Sequence, residues 1–348
     1  MSKMKYKGIT YDIGTEYSPG NFTINNLPES KISSDMQAIK EDLHCNAIRI
    51  YGKDTDKLIL ASGIALRHGL DVWISPRYIN AGTEETLQSL TGLARLFQAL
   101  KTKYPERELV FIVGGEATID TQGFVKGDTL PERLQNLMKP LFLIKNAFGI
   151  RPAFQKKLDE FLQGAAAAVR KEFAGKVTYA SAMWEKIDWT PFDYIAVNLY
   201  KAAFNERFFE RTLQKLIARG KPVIITEFGC CCHEGANKKG PMGYMVLDWS
   251  KNPPVFKETC TRNENVQARY ITGLLETYQN YQVAGTFVFD FQAPKLAHNA
   301  DPAFDFDMAS FSITRPMNEI VWEPKESFHA IADFYNERET STRRIACL

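Results

Sequence analysis

Short apolar runs that end in polar or glycine residues recur along the chain, and most lead into a segment with helical spacing. Continuously apolar runs of this length are typical of strands in a parallel sheet that is covered on both faces. The eight runs span residues 8–14, 46–52, 71–77, 109–116, 177–184, 193–200, 222–229 and 285–290. The pattern therefore predicts eight buried parallel strands.

Apolar residues at helical spacing follow seven of the runs. The first helix is expected at about 33–44, with Ser33 or Ser34 as its N-cap. The other helices are expected at about 54–67, 84–103, 153–173, 205–219, 263–279 and 325–336. Eight strands alternating with helices predict a closed (β/α)8 barrel, the TIM barrel. A doubly wound open sheet is the alternative, but the G-x-G-x-x-G turn that it would carry after an early strand is absent.

Three connections are longer than the barrel needs, and they follow strands four, seven and eight at 117–152, 230–262 and 291–324. Within 130–150, apolar residues recur at helical spacing, namely Leu134, Leu137, Met138, Leu141 and Ile144. This segment is expected to cover a pocket, to form a homodimer face, or to pack on the barrel flank. Because no linker or repeat interrupts the chain, one domain over 1–348 is expected, with a loose polar tail at 337–348.

The amino-acid composition of the chain limits the classes of function that it can have. The chain has 348 residues, 45% hydrophobic and 24% charged, with a formal net charge of +2. This balance does not indicate a nucleic-acid or membrane partner, and no apolar run is long enough to cross a bilayer. The basic N-terminus lacks the apolar segment of a signal peptide, and three of the six cysteines are adjacent, which disfavours disulfides. A reducing, cytoplasmic location is expected.

Two of the predicted strands end in glutamate, Glu116 on strand four and Glu227 on strand seven. Burying an unpaired carboxylate costs several kcal/mol, so both are expected at the open end of the barrel, where these strands face each other. Cleavage of a glycosidic bond needs two carboxyl groups, about 5 Å apart for retention and about 6.5–9.5 Å apart for inversion. The alternative is that each glutamate forms a structural ion pair at the rim.

This pair resembles the catalytic glutamates of glycoside hydrolase clan A, whose barrels use the strand-four glutamate as acid/base and the strand-seven glutamate as nucleophile. Arg49 and Tyr200 match two further positions that the clan places beside the nucleophile. The chain also resembles bacterial proteins labelled abortive infection proteins, through the segments 42–50, 73–77 and 226–231. One position departs from the clan, since Gly115 stands where an asparagine usually binds the sugar 2-hydroxyl.

Other polar or aromatic residues near strand ends are expected to contact the substrate, with no cofactor required. Trp184 is expected as a platform for a sugar face or, equally, as a core aromatic. Asp12 is expected to pair with Arg77 or Arg49 as a buried ion pair. The remaining candidates are Asn198, His233, Glu185 and Asp290.

Cys230, Cys231, Cys232 and His233 follow the second glutamate directly. Adjacent side chains cannot all turn toward one ion, and no C-x-x-C pair exists, so a zinc site is not expected. A packed loop is favoured over a cysteine nucleophile, because such nucleophiles use a histidine that is close in space rather than in sequence.

Three functions remain open at this stage. The first is a retaining hydrolase acting on a small or apolar-aglycone glycoside through Glu116 and Glu227. The second keeps the barrel and both glutamates for a cyclase, isomerase or lyase reaction, which Gly115 and the apolar segment 130–150 favour. The third is a non-catalytic binding or phage-defence protein on the same fold.

Overall fold

The computed structural model describes residues 4–140, 142, 152–251 and 253–345. Eight parallel strands close into a barrel in which β1 pairs with both β2 and β8. The strands are β1 (Tyr6–Asp12), β2 (Ala47–Gly52), β3 (Asp71–Pro76), β4 (Leu109–Gly115), β5 (Lys176–Ser181), β6 (Ile195–Asn198), β7 (Val223–Phe228) and β8 (Gly285–Val288). Each predicted run overlaps one of these strands, and the predicted (β/α)8 barrel is confirmed.

Helices lie outside the barrel. The longer ones are α1 (Glu29–Glu41), α2 (Thr55–Arg67), α3 (Thr83–Lys103), α4 (Gln155–Glu172), α5 (Phe209–Ile217), α6 (Glu264–Asn280) and α7 (Glu326–Ile345). The N-cap expected at Ser33 or Ser34 is wrong, because α1 already begins after Pro28, an N-cap residue without a side-chain hydrogen bond. The Ser34 hydroxyl instead donates to the Lys31 carbonyl inside the helix.

The last helix runs to Ile345. The loose tail expected at 337–348 stays a prediction, and 346–348 lie outside the described residues. Among the described residues, none of the helices is both long and apolar enough to cross a membrane.

The long connections contain short elements of their own. Helix Leu130–Leu137 lies within the apolar segment after β4, whereas Leu141 and Ile144 fall outside the described residues. Two-stranded sheets pair Glu16–Ser18 with Asn21–Phe22, Leu247–Asp248 with Val255–Phe256, and Thr314–Pro316 with Trp322–Pro324. Short helices span Ala117–Asp120 and Ala236–Lys239, and 3-10 helices span Glu206–Phe208, Gly240–Val246 and Phe306–Ala309.

Aromatic side chains fill the amino-terminal half of the barrel interior. The Trp73 ring lies 5.2 Å from that of Tyr6, 5.0 Å from that of Tyr194 and 5.1 Å from that of Phe287, measured between centroids. Gly8 makes room for this packing, since a Cβ atom there would lie 2.5 Å from the Phe287 ring. The barrel is therefore closed at this end, and polar side chains collect at the carboxyl end of the strands.

Candidate active site

Glu116 and Glu227 both lie at the carboxyl end of the barrel. Glu227 is the next-to-last residue of β7, and Glu116 follows β4 directly as the N-cap of the helix Ala117–Asp120. The backbone of Glu116 is left-handed, with φ +47°, which is uncommon for a residue with a side chain. Strain of this kind costs about 1–3 kcal/mol and collects at functional sites.

Asn198, the last residue of β6, joins the two carboxylates. Its Nδ2 lies 3.2 Å from Glu116 Oε1 and 3.3 Å from Glu227 Oε2. The sum of these two distances limits the separation of the two oxygens to about 6.5 Å. The Thr226 hydroxyl donates to Asn198 Oδ1 at 2.9 Å and so fixes which side of the amide faces the carboxylates.

Arg49 and Tyr200 complete the surroundings of Glu227. The Tyr200 hydroxyl donates to Oε1 at 2.8 Å, and Arg49 Nη1 lies 3.4 Å from Oε2. Arg49 is itself held by the Thr226 carbonyl at 2.8 Å and by the Ser75 hydroxyl at 3.2 Å. These donors fix the orientation of the Glu227 carboxyl group, whose side chain is 19% exposed.

The surroundings of Glu116 shift the pKa of its carboxyl group. Burial of its carboxyl group and the negative charge of Glu227 raise its pKa to about 8, and the charge of Asp120 acts in the same direction. The positive charge of Arg77 and the hydrogen bond from Asn198 oppose this rise. At neutral pH the Glu116 carboxyl group is therefore mostly protonated.

Arg77 pairs with Asp120, which lies in the helix after β4. Arg77 Nε and Nη2 donate to the two carboxylate oxygens of Asp120 at 2.8 Å and 3.1 Å. Arg77 Nη1 also donates to the Tyr17 hydroxyl at 3.2 Å. The Arg77–Asp120 ion pair and the Tyr17 side chain therefore lie together at the edge of the site.

The ion pair expected between Asp12 and an arginine is wrong. Asp12 Oδ1 accepts from the Gly14 backbone at 2.9 Å and from the Thr15 hydroxyl at 3.2 Å. The side chain therefore turns back onto its own loop, as short acidic side chains do in turns, and Arg77 finds a partner on another connection. Burial raises the pKa of Asp12.

Asp290, which follows β8, is a buried carboxyl group with three donors. Oδ1 accepts from the Thr10 hydroxyl at 2.9 Å and from the Phe291 backbone at 2.7 Å, and Oδ2 accepts from the Tyr51 hydroxyl at 2.6 Å. Burial, followed by the charge of Asp12, raises its pKa well above the usual value. These contacts join β1, β2 and β8 beneath the open end of the barrel.

Glu185 and Trp184 hold the connection after β5 in place. Both Glu185 oxygens accept two hydrogen bonds, Oε1 from the Thr118 amide and hydroxyl and Oε2 from the Tyr179 hydroxyl and the Ala182 amide. The expectation that Glu185 contacts the substrate is therefore wrong, because its acceptor positions are already used. Trp184 is half-buried against the core, and its Nε1 donates to the Thr118 hydroxyl.

His233 is also structural, contrary to the expectation of a substrate contact. It is only 1% exposed, and its two ring nitrogens lie 2.8 Å and 3.1 Å from the carbonyl oxygens of Glu234 and Gly243. The imidazole therefore holds the connection after β7 together.

The three adjacent cysteines are fully buried. Cys231 and Cys232 donate to backbone carbonyls, and burial raises the pKa of Cys232 to about 12, which keeps it a thiol. Across the described ranges, no group of three or more histidine, cysteine or acidic side chains is arranged to hold a metal ion. A packed loop, as favoured from the spacing, accounts for these contacts.

Sequence reasoning missed Asp120, Thr226, Tyr17 and Tyr244. Burial, followed by the negative charge of nearby Glu116, raises the pKa of Tyr244. Three of the four lie on connections or on a short helix rather than at the end of an apolar run. Of the four, only Thr226 could have been found from its position in the sequence, because it is adjacent to Glu227 on β7.

Comparison with known proteins finds similar folds but no match in sequence. No protein-family model matches the chain, and no curated protein matches it by sequence. The resemblance to abortive infection proteins therefore gains no support and stays a prediction.

Solved structures with a similar fold include glycoside hydrolases. Thermotoga maritima Cel5A, solved with mannotriose, is 12% identical with a TM-score of 0.55, over 94% of this chain and 98% of that one. Bacteroides uniformis beta-glucuronidase 2 is 13% identical with a TM-score of 0.56, over 96% of this chain and 35% of that one. Parabacteroides merdae beta-glucuronidase is 12% identical with a TM-score of 0.57, over 94% and 36%.

The chain thus spans only about a third of the two beta-glucuronidases but nearly all of Cel5A. At these identities the likeness concerns the fold. The chain has a glycoside hydrolase-like (β/α)8 barrel.

Proposed function

We propose that the chain is a retaining glycosidase-type hydrolase in which Glu116 is the general acid/base and Glu227 is the nucleophile. The observation that carries this proposal is the shared contact of Asn198, which keeps the two carboxyl oxygens within about 6.5 Å of each other. This limit favours the short separation used for retention over the wider one used for inversion. The resemblance to clan A at Glu116, Glu227, Arg49 and Tyr200 points to the same roles.

In the first step, the Glu116 carboxyl proton passes to the glycosidic oxygen while a Glu227 oxygen attacks the anomeric carbon. The bond between that carbon and the leaving oxygen breaks, and a glycosyl ester on Glu227 forms. Tyr200 and Arg49 hold the attacking carboxylate in position through the contacts described above.

In the second step, Glu116, now a carboxylate, takes a proton from water, and the water oxygen attacks the anomeric carbon. The bond between that carbon and the Glu227 oxygen breaks, which releases the sugar and returns Glu227 as a carboxylate. Esterification of Glu227 removes one of the negative charges that raise the pKa of Glu116. The pKa of Glu116 therefore falls in the intermediate, which suits its change from acid to base.

The test is turnover of a set of aryl glycosides by the full chain. We expect Glu227→Gln to abolish turnover of every substrate that the wild type cleaves. Glu116→Gln should lose least with leaving groups of low pKa, since these depart without protonation. Wild-type activity in Glu227→Gln would contradict the proposal.

A non-hydrolytic acid/base reaction, such as a cyclisation, isomerisation or elimination, is the second candidate. The observation that favours it is Gly115, which offers no side chain to a sugar 2-hydroxyl. Reaction in H₂¹⁸O separates the two candidates, because hydrolysis with retention places ¹⁸O on the anomeric carbon of the product, and these other reactions do not.

The substrate, a homodimer and a phage-defence role are not tested by the contacts within one chain. A small glycoside is proposed as the substrate on the strength of the paired carboxyl groups alone. The homodimer and the phage-defence role stay predictions.

A further inference from the structure

Gly115 precedes the acid/base, and its neighbours indicate why a larger residue is disfavoured there. A Cβ atom built on Gly115 would lie 3.3 Å from Arg49 Nη2 and 3.8 Å from Ala180 Cβ. The 3.3 Å contact is tighter than most Cβ contacts, so a side chain at 115 would press on the Arg49 guanidinium. Arg49 is held by Thr226, Ser75 and Glu227, and its shift would disturb the nucleophile.

Asn198 reaches both carboxylates from β6, the strand that pairs with β7. It is 3% exposed, its Nδ2 faces one oxygen of each glutamate, and its Oδ1 accepts from Thr226. An amide nitrogen has two hydrogens, so both contacts can be made at once. Turning the amide over would place Oδ1 against the two carboxyl groups and remove its donor hydrogens from both of them.

We propose that Asn198 is a positioning residue that, from β6, sets the separation of the two carboxyl groups. The inference rests on the proposed function, because the separation matters only if Glu116 and Glu227 act on one bond. Thr226 acts through Asn198 by holding its amide in the productive orientation.

Two consequences follow from loss of the amide. The hydrogen bond from Asn198 favours the ionised form of Glu116, so its removal raises the pKa of Glu116 further. Without the shared donor the two carboxyl groups also lose the contact that holds them together. A misplacement of about 1 Å between reacting groups lowers rates by about 100-fold.

The main test compares wild type with Asn198→Ala in protein labelled with ¹³C at the glutamate carboxyl carbons. We expect the NMR titration midpoint of Glu116 to rise in Asn198→Ala. We also expect the alkaline limb of the kcat profile to move to higher pH, and kcat to fall about tenfold to 100-fold with little change in KM. An unchanged midpoint would overturn the proposal, whether or not activity falls.

Thr226 provides a second, milder pair of variants. Thr226→Val removes the hydroxyl that orients the amide, and it should shift the Glu116 midpoint in the same direction as Asn198→Ala. Thr226→Ser keeps a hydroxyl and should restore the wild-type midpoint. Equal midpoints in the two Thr226 variants would remove Thr226 from the proposal.

Asn46→Ala is the matched control. Asn46 accepts from the Lys7 amide and donates to the Lys5 carbonyl, so the variant also loses two amide hydrogen bonds, at the amino-terminal end of the barrel. We expect the Glu116 midpoint and the pH profile of this variant to match those of wild type.

Activity separates failure of this proposal from failure of the proposed function. An inactive Glu227→Gln together with a wild-type midpoint in Asn198→Ala would overturn the positioning role alone. An active Glu227→Gln together with a raised midpoint in Asn198→Ala would overturn the reaction and leave the contact of Asn198 with Glu116 supported.

Discussion

Glu116 combines two features that cost stability. Its backbone is left-handed at φ +47°, and its carboxyl group is placed where burial and Glu227 raise its pKa to about 8. The hydrogen bond from Asn198 and the charge of Arg77 oppose the rise in pKa only in part. A residue that costs stability at the open end of a barrel is a functional candidate on physical grounds.

The first prediction concerns stability and pH. The pKa of Glu116 rises from a usual value of 4.5 in the unfolded chain to about 8 in the folded one. Between these values the folded state holds a proton that the unfolded state lacks, so this group makes stability fall as pH rises, by up to about 1.4 kcal/mol per pH unit. Glu116→Gln should remove this fall, as measured by urea unfolding at several pH values. Parallel pH curves for the two proteins would contradict the assignment.

The second prediction concerns the alkaline limb of activity. Arg77 lowers the pKa of Glu116 and Asp120 raises it, so Arg77→Gln should move the limb to higher pH and Asp120→Asn to lower pH. Each change also leaves the partner's charge unpaired, which adds to the shift in the same direction. The measurement is kcat against pH on one aryl glycoside. Shifts of the same sign in both variants would contradict this account.

At the scale of elements, the connections after β7 and β8 are held by buried charges. Lys325 Nζ lies 2.7 Å from Asp307 Oδ1, and both side chains are fully buried. Arg262 pairs with Asp307 at 2.7 Å and with Asp305 at 2.8 Å. This cluster attaches both connections to the start of α7, so their positions near the site do not rest on apolar packing alone.

The third prediction tests this cluster. In Lys325→Met, Asp307 keeps its ion pair with Arg262 but loses the one with Lys325. Removal of one partner of a buried ion pair costs about 3 kcal/mol. Lys239→Met is the control, because its pair with Glu258 is exposed and exposed pairs contribute less than about 1 kcal/mol. The free energy of unfolding in urea is the measurement. Equal losses in the two variants would show that burial of the Lys325 pair is unimportant.

At the scale of the whole molecule, the barrel is closed by strands from the two ends of the chain. Tyr6 of β1 pairs with Gly285 of β8, and Gly8 of β1 pairs with Ala47 of β2. Without β8, both β1 and β7 would expose unpaired backbone groups. We therefore expect the barrel to unfold as one cooperative unit rather than as a row of independent strand–helix units.

The fourth prediction follows from this closure. A chain that ends at Val283 lacks β8 and α7, and we expect it to aggregate or to show no cooperative thermal transition by circular dichroism. A chain that ends at Ile345 keeps every described element and should unfold as the full chain does. A sharp transition in the shorter chain would mean that the barrel does not need closure.

The local pattern of apolar and polar residues in the sequence determined much of this protein's fold. Eight apolar runs, each short and followed by polar residues, are sufficient to predict the barrel because burial of apolar strands is a property of each run. The cost of burying charge likewise placed Glu116 and Glu227 at strand ends. Resemblance to clan A then named Arg49 and Tyr200, which contact Glu227.

Only the tertiary structure decided which polar side chains meet. Arg77 pairs with Asp120 rather than Asp12, and Arg49 binds the Thr226 carbonyl 177 residues away. His233 is bonded within its own connection, and Glu185 is bonded by Thr118 on the connection after β4. Which polar side chains pair depends on small differences in distance between segments that closure of the barrel brings together. No local pattern in the sequence determines those distances.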